Sequence, residues 1–435
     1  MRVSINKSSI KGEVFAPPSK SYTHRAITLA ALSKEAVIHR PLLSADTLAT
    51  IHASRMFGAS IERKGDDLLI QGVNGKPKVP DDVIDAANSG TTLRFMTAIA
   101  ALTEGITVLT GDASLRTRPN GPLLEVLNKL GVKAFSTRGN ERAPIVVKGG
   151  LGGAIVTIDG SISSQFISAL LIACPLAENS TTLSIVGELK SKPYVEVTLE
   201  MLELAGVKIH TDDNNGIRFI IPGKQKYNLK EYTIPGDFSS ASYLLASAAM
   251  IEGSEVTVKN LFPSKQGDLV IIETLERMGA DITWDRKAGK VTVRGGKPLK
   301  AITFDAGATP DLVPTVAVLA SVAVGTSRIE NAEHVRYKET DRLRALATEL
   351  PKLGVRLKEE KDSLTITGGE LKGAVVHGWD DHRIVMALAM AGMIAGNTTI
   401  DTTESVSISY PDFFKDIRKL GAKIEEISEE SVVKK

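Results

Sequence analysis

Asn88 to Asp112 reads NSGTTLRFMTAIAALTEGITVLTGD, and Asp237 to Leu261 reads DFSSASYLLASAAMIEGSEVTVKNL. Laid over each other, the two stretches match in order: polar cluster, Ala/Leu-rich helical run, glycine turn, β-branched strand. The same order recurs six times along the chain, with clusters beginning near Ser21, Asn88, Ser163, Asp237, Asp311 and Asp380. Behind each comes a second amphipathic helix, ended by Gly58, Gly131, Gly206, Gly279, Gly354 or Gly421, and then one or two strands with period-2 alternation. Glycine suits those positions because it takes the left-handed conformation that ends a helix without a Cβ penalty. The spacing of about 70 residues is far longer than a solenoid period. The pattern therefore reads as duplication of a small α/β unit: strand, helix, strand, helix, strand, strand. Three units per domain would place helices inside and sheets outside.

The rest of the composition agrees with an ordinary globular protein. A chain of 435 residues exceeds what one hydrophobic core usually serves, so two domains are expected. A domain junction is expected at YTIPGD, residues 232–237, where Pro235-Gly236 interrupts regular structure midway. The 53 Lys and Arg against 51 Asp and Glu give a net charge of +2, too balanced to hold a polyanion by bulk charge. With aromatics at only 5%, a stacking surface for single-stranded nucleic acid is not expected either. No nucleic-acid or membrane partner is expected, since the apolar run from Leu312 to Val324 is shorter than the roughly 20 residues of a span and reads as a buried helix. The single cysteine, Cys174 in ALLIACPLA, excludes an intrachain disulfide and reads as core; a cytoplasmic location is expected. No Gly-Lys-Ser or Gly-Lys-Thr phosphate loop and no HExxH metal motif occurs.

Chemistry is expected at the helix openings, where unpaired N–H groups and the positive dipole end attract anions. Pro18-Ser19-Lys20-Ser21-Tyr22-Thr23-His24-Arg25 places two cations on first helical turns, an arrangement that an anionic ligand would relieve. Asn88-Ser89-Gly90-Thr91 offers a glycine for close backbone approach, and Ser163-Ser164-Gln165 offers neutral donors, though either could be a plain N-cap. Arg116-Thr117-Arg118-Pro119 presents two guanidinium forks, which bind phosphate or carboxylate bidentately. In Lys338-Glu339-Thr340-Asp341-Arg342-Leu343 a helix would put Lys338 and Arg342 on one face at i,i+4, repelling unless an anion lies between them, with Glu339 as a proton carrier beside them. A surface salt-bridge helix is the bland alternative. Asp380-Asp381-His382-Arg383 and Asp311 open the last two repeats with acidic caps.

Together PSKSYTHR, NSGT, RTRP, GSISSQF, SKPY, KETDRL and DDHR occur in the order found in the 5-enolpyruvylshikimate-3-phosphate synthase family, which the chain resembles over essentially its whole length. The resemblance implies an α/β fold of two domains, each three copies of the βαβαββ unit. Residues 1–14 and 236–435 would form one domain, 15–235 the other, with substrates bound in a cleft between them. It implies transfer of the enolpyruvyl group of phosphoenolpyruvate to the 5-hydroxyl of shikimate 3-phosphate, with no metal or organic cofactor, by a monomer. Carried over residue by residue, Ser21, Arg25, Ser163, Ser164, Ser191, Tyr194, Asp311 and Lys338 contact shikimate 3-phosphate, while Lys20, Gly90, Arg118, Gln165, Arg342 and Arg383 hold phosphoenolpyruvate. Glu339 and Lys20 carry the methylene and phosphate protons, and Asp311 orients or deprotonates the hydroxyl. Two positions depart from the family: Ile408 stands where a phosphoenolpyruvate-contacting lysine is common, and His334 where asparagine is common. The sister enzyme acting on UDP-N-acetylglucosamine is the nearest rival, but its loop cysteine near Arg118 and its Lys-Asn pair are missing, Lys20-Ser21 standing instead. A non-catalytic anion-binding protein of the same fold is the second rival.

Overall fold

The structure is a computed structural model that describes residues 1–214 and 216–427. The chain divides into two compact units, one of Met1–Pro17 with the chain from Pro235 onward, the other of Pro18–Ile234. The first unit thus keeps three residues beyond the Val14 boundary read from the sequence, because the Ala16 N–H donates to Lys259 O and extends the pairing of strand Lys11–Phe15.

Among the described residues, each unit contains three four-stranded sheets of one design. Within a repeat the first strand runs parallel to the second, and an antiparallel hairpin of the third and fourth strands completes the sheet through the fourth. Ile155–Asp159, Thr181–Val186, Arg218–Ile221 and His210–Asp212 lie side by side in this way. Two repeats are assembled from distant pieces of chain. Glu231–Thr233, at the end of one unit, is the parallel first strand beside Glu35–His39. Lys11–Phe15 does the same beside Glu255–Lys259. The amino-terminal strand Arg2–Ile5 fills the last gap, between Thr398–Ile400 and Ile424–Ile427. Val3 and Ile5 hold it there; both are fully buried, which contributes roughly 1.5–3 kcal/mol for each side chain.

The six glycines that end the second helix of each repeat all have positive φ, from 80° at Gly206 to 109° at Gly421, as their helix-terminating role requires. The first helices of the repeats are the interior. Phe238–Met250, Val313–Val322 and His382–Ala395 pack on one another at the centre of one unit and are buried on nearly every side. Gly90–Ala100 and Ser164–Ala173 play this part in the other. A helix buried all round must be apolar or small throughout, which explains the Ala/Ser/Leu composition. Its hydroxyls are satisfied locally: Ser247 donates to Tyr243 O at 2.7 Å, Thr97 to Leu93 O at 2.7 Å and Ser321 to Ala317 O at 2.8 Å. Cys174 lies in this interior, where burial pushes its thiol up to about 12. Among the described residues no helix is long and apolar enough to cross a membrane.

Candidate active site

In the unit Pro18–Ile234, the fold gathers helix openings around a set of cations. Ser19 precedes the helix Lys20–Leu32, Ser89 caps Gly90–Ala100 by accepting from Thr92 N, and Ser163 caps Ser164–Ala173 by accepting from Gln165 N. Lys20 Nζ lies 3.0 Å from Asp46 Oδ2. Arg25 points along its helix into the interior. Its Nε donates to Thr198 Oγ1 at 2.8 Å, Nη1 to Ser21 O at 2.9 Å, and Nη2 to Tyr194 O at 2.8 Å and Ser168 Oγ at 3.4 Å. All its acceptors are neutral. Burial pulls this guanidinium down to about 10, and it stays charged at neutral pH. Ser21, Arg25 and Tyr194 are therefore in one group, with Ser191, itself left-handed at φ 55°, starting the helix that carries Tyr194.

Gly90, Gln165 and Arg118 form a second group in the same unit. Gln165 Nε2 donates to Thr91 Oγ1 at 3.0 Å, and its Oε1 accepts from Arg94 Nη1 at 3.1 Å. Arg118 Nη2 donates to Asn88 Oδ1 at 2.9 Å and Ser114 Oγ at 3.1 Å. A Cβ on Gly90 would come within 2.1 Å of Arg94 Nη1 and 3.3 Å of Arg118 Nη1, so any larger residue would push the Arg94 guanidinium away from the helix opening.

In the other unit the arrangement is built on carboxylates. Arg342 Nη1 donates to Asp311 Oδ1 at 2.9 Å, Nη2 to Glu339 Oε2 at 2.6 Å, and Nε to Asp381 Oδ2 at 2.8 Å, with a further contact from Nη2 to Asp381 Oδ1 at 3.3 Å. Arg383 Nη2 reaches the other oxygen of Asp311 at 2.9 Å and Ser239 Oγ at 3.1 Å, and Lys338 Nζ stands 3.8 Å from Asp311 Oδ1. Burial opposes ionisation of Asp311, but Arg383, Lys338 and Arg342 together outweigh it and hold the carboxyl well below the usual range. Burial also pulls the Lys338 ammonium down, with Asp311 acting in the opposite direction. Three acids and three cations thus sit together.

One expectation is corrected here. Lys338 and Arg342 do not share a helix face, because the helix begins only at Arg342; Asp341 caps it, accepting from Arg344 N at 3.0 Å. Lys338 ends a 3-10 turn with extended ψ, and it meets Arg342 through their shared partner Asp311. Asp311 likewise lies in the short turn Pro310–Leu312 that precedes the buried helix Val313–Val322. His334 and Ile408, the two departures from the family pattern, are both buried in 3-10 turns of this unit.

Four participants escaped the sequence reading. Asp46 and Arg94 position Lys20 and Gln165, while Thr198 and Ser168 receive Arg25. Arg94 had a local signal, being four residues past Gly90 on the same helix face. The others are joined by folding alone. Among the described residues no group of His, Cys, Asp and Glu is arranged to hold a metal ion.

Comparison with known proteins closes the matter of family. A sequence model of EPSP synthase (3-phosphoshikimate 1-carboxyvinyltransferase) matches residues 5–417. The chain is 84% identical over 430 residues to a 3-phosphoshikimate 1-carboxyvinyltransferase of Methanosarcina mazei, covering 99% of this chain and 100% of that one. It is 50% identical to the protein of the same name from Halorubrum lacusprofundi, over 98% of this chain and 99% of that one. Among solved structures, EPSP synthase from Acinetobacter baumannii superposes with a TM-score of 0.82 at 29% identity, covering 98% of this chain and 99% of that one. The enolpyruvyl transferase NikO from Streptomyces tendae, at 18% identity and a TM-score of 0.77 over 98% of each chain, shares the fold. With its six βαβαββ repeats and its full-length match, the chain belongs to the EPSP synthase family.

Proposed function

We propose that this protein transfers the enolpyruvyl group of phosphoenolpyruvate to the 5-hydroxyl of shikimate 3-phosphate and releases inorganic phosphate. The observation that carries the reading is Asp311, a half-buried carboxylate ringed by Arg342, Arg383 and Lys338 with Glu339 on the same arginine. Such a group can orient a hydroxyl and deliver a proton beside it while cations meet a phosphate.

The chemistry runs in two halves. In the first, the hydroxyl oxygen bonds to C2 of phosphoenolpyruvate as the hydroxyl proton leaves and the methylene carbon gains one, giving a tetrahedral intermediate with a methyl group. In the second, the C2–O bond to phosphate breaks and the methyl group returns a proton, restoring the double bond. Glu339 is assigned to the methylene proton and Lys20 to the phosphate proton. Asp311 is assigned to orienting the hydroxyl or taking its proton, its carboxyl being held in the ionised form by Arg383, Lys338 and Arg342. Ser21, Arg25, Ser163, Ser164, Ser191, Tyr194 and Lys338 are assigned to shikimate 3-phosphate. Gly90, Arg118, Gln165, Arg342 and Arg383 are assigned to phosphoenolpyruvate, where the arginines also stabilise charge on the departing phosphate.

The test is phosphate release from phosphoenolpyruvate in the presence of either shikimate 3-phosphate or UDP-N-acetylglucosamine. Release with shikimate 3-phosphate alone is expected. Release with only the nucleotide sugar would overturn the assignment, and binding of phosphoenolpyruvate without turnover with either acceptor would make the protein a non-catalytic relative.

A further inference from the structure

The acidic segment Asp380-Asp381-His382-Arg383 enters its helix through a loop that is expensive to hold. Trp379 and Asp380 are consecutive non-glycine residues with φ of 58° and 51°. Such a conformation is strained for a residue with a Cβ and persists only where the surroundings over-determine it. Directly after it come Asp381, which receives Arg342, and Arg383, which grips Asp311. A small rotation in the loop would misplace both.

Two sets of bonds fix the loop. On one side Asp401 Oδ1 accepts from the Gly378 N–H at 2.9 Å and lies 2.7 Å from His377 Nδ1, while Thr402 Oγ1 accepts from the Asp380 N–H at 3.2 Å. On the other side is a single side chain, Glu349. Its Oε1 accepts from the Trp379 indole N–H at 3.0 Å, and its Oε2 accepts from the His377 N–H at 2.9 Å and from Lys352 Nζ at 2.7 Å. Glu349 is 1% exposed. A carboxylate so deeply buried is retained only when its oxygens are satisfied, and here two of the three donors belong to the loop.

Glu349 is the last residue of the helix Arg342–Glu349, and Arg342 is the first. At a rise of about 1.5 Å per residue the two ends stand about 10 Å apart. One helix therefore clamps residues 377–381 at both ends, through the guanidinium at its start and the carboxylate at its finish. We propose that Glu349 is a positioning residue for the reaction, holding the left-handed loop so that Asp381 and Arg383 keep their places around Asp311. It does not touch the reacting groups. The proposal rests on the assignment of Arg342 and Arg383 to phosphoenolpyruvate, and it predicts that loosening the loop affects that substrate selectively.

The experiment compares wild type with Glu349→Gln and Trp379→Phe. Glutamine keeps the shape and one acceptor but cannot accept from the His377 N–H and Lys352 with its amide nitrogen; phenylalanine removes the indole donor together with part of the ring. Expected are a roughly 10-fold rise in KM for phosphoenolpyruvate in Glu349→Gln and a roughly 3-fold rise in Trp379→Phe, each with KM for shikimate 3-phosphate within twofold of wild type. A merely structural role would lower the active fraction and leave both KM values alone. Hydrogen exchange read by mass spectrometry gives a second arm that needs no turnover: peptides covering residues 377–383 should exchange at least 10-fold faster, with those covering 403–420 unchanged. Unchanged exchange at 377–383, a parallel rise in both KM values, or faster exchange without a KM effect would each overturn the proposal. If wild type turns over neither substrate, the functional reading fails, while the exchange arm still decides whether Glu349 braces the loop.

Discussion

Arg25 and Arg342 are both deeply buried, at 3% and 1% exposure, yet their surroundings differ in kind. Arg25 is met only by neutral oxygens, from Thr198, Ser21, Tyr194 and Ser168. Arg342 is wrapped by Asp311, Glu339 and Asp381, and four contacts to them occupy nearly all its five N–H groups. The electrostatics follow. Burial lowers Arg25, whereas for Arg342 burial is outweighed by Asp381, Glu339 and Asp311, and its charge is held more tightly than in water. An arginine with its charge cancelled orders carboxylates and has one N–H to spare for a ligand. An arginine with its charge exposed to neutral partners attracts an anion. One unit thus holds a buried cation among neutral oxygens, the other a buried cation among acids.

The comparison can be broken from its acidic side first. Glu339→Gln should lower kcat by about 10²- to 10⁴-fold, the usual range for losing a proton carrier. It also removes one negative charge from Arg342, so KM for phosphoenolpyruvate should hold or fall. Steady-state kinetics on a variant with an unchanged thermal transition checks both; near-wild-type kcat would remove the proton-carrying role. Next in size is stability. Arg342→Met leaves the buried Asp381 and the half-buried Asp311 and Glu339 without their common partner, a change expected to destabilise the protein by about 3–5 kcal/mol in urea denaturation. Arg25→Met strands no acid, so its cost should stay near 1 kcal/mol, while the KM for shikimate 3-phosphate rises roughly 10- to 100-fold through loss of charged hydrogen bonds worth about 1.5–3 kcal/mol. Equal stability losses in the two variants would erase the distinction between the arginines.

How much of this was legible in the sequence follows from the range of each interaction. Ser89, Ser163 and the six helix-ending glycines act within three or four residues, and so the repeat and its punctuation could be read directly. The opening of the helix at Arg342 was also a local matter, but two local rules competed there. Charge alternation suggested a helix through Lys338, and the capping chemistry of Asp341 won, since it satisfies a backbone donor and spares Lys338 and Arg342 an i,i+4 repulsion. The assignments carried by resemblance named the cations without saying which were already neutralised. Asp46 is 26 residues from Lys20, Thr198 is 173 from Arg25, and Asp381 is 39 from Arg342. No periodicity connects such pairs; only the packing of whole repeats does.

The smallest expected effect is a test of the cationic side, and it uses pH. His24 precedes Arg25 on the buried helix, its Nδ1 2.7 Å from Thr50 Oγ1. Burial, then Lys20, then Arg25 push its pKa well below the ordinary histidine value. The folded protein therefore keeps His24 neutral where the unfolded chain would protonate it. As pH falls below about 6.5 the unfolded state binds a proton that the folded state refuses, and stability drops with a slope approaching 1.4 kcal/mol per pH unit until the folded pKa is reached. Above about pH 7.5 neither state is protonated and the term vanishes. His24→Asn, which can still bond Thr50, should lose this slope: between pH 6.5 and 5.5 wild type should lose about 1 kcal/mol more than the variant, with parallel curves at higher pH. Urea denaturation across that range measures it. Parallel curves throughout would mean that the folded protein accepts the proton, which a helix carrying the uncompensated charge of Arg25 should not do.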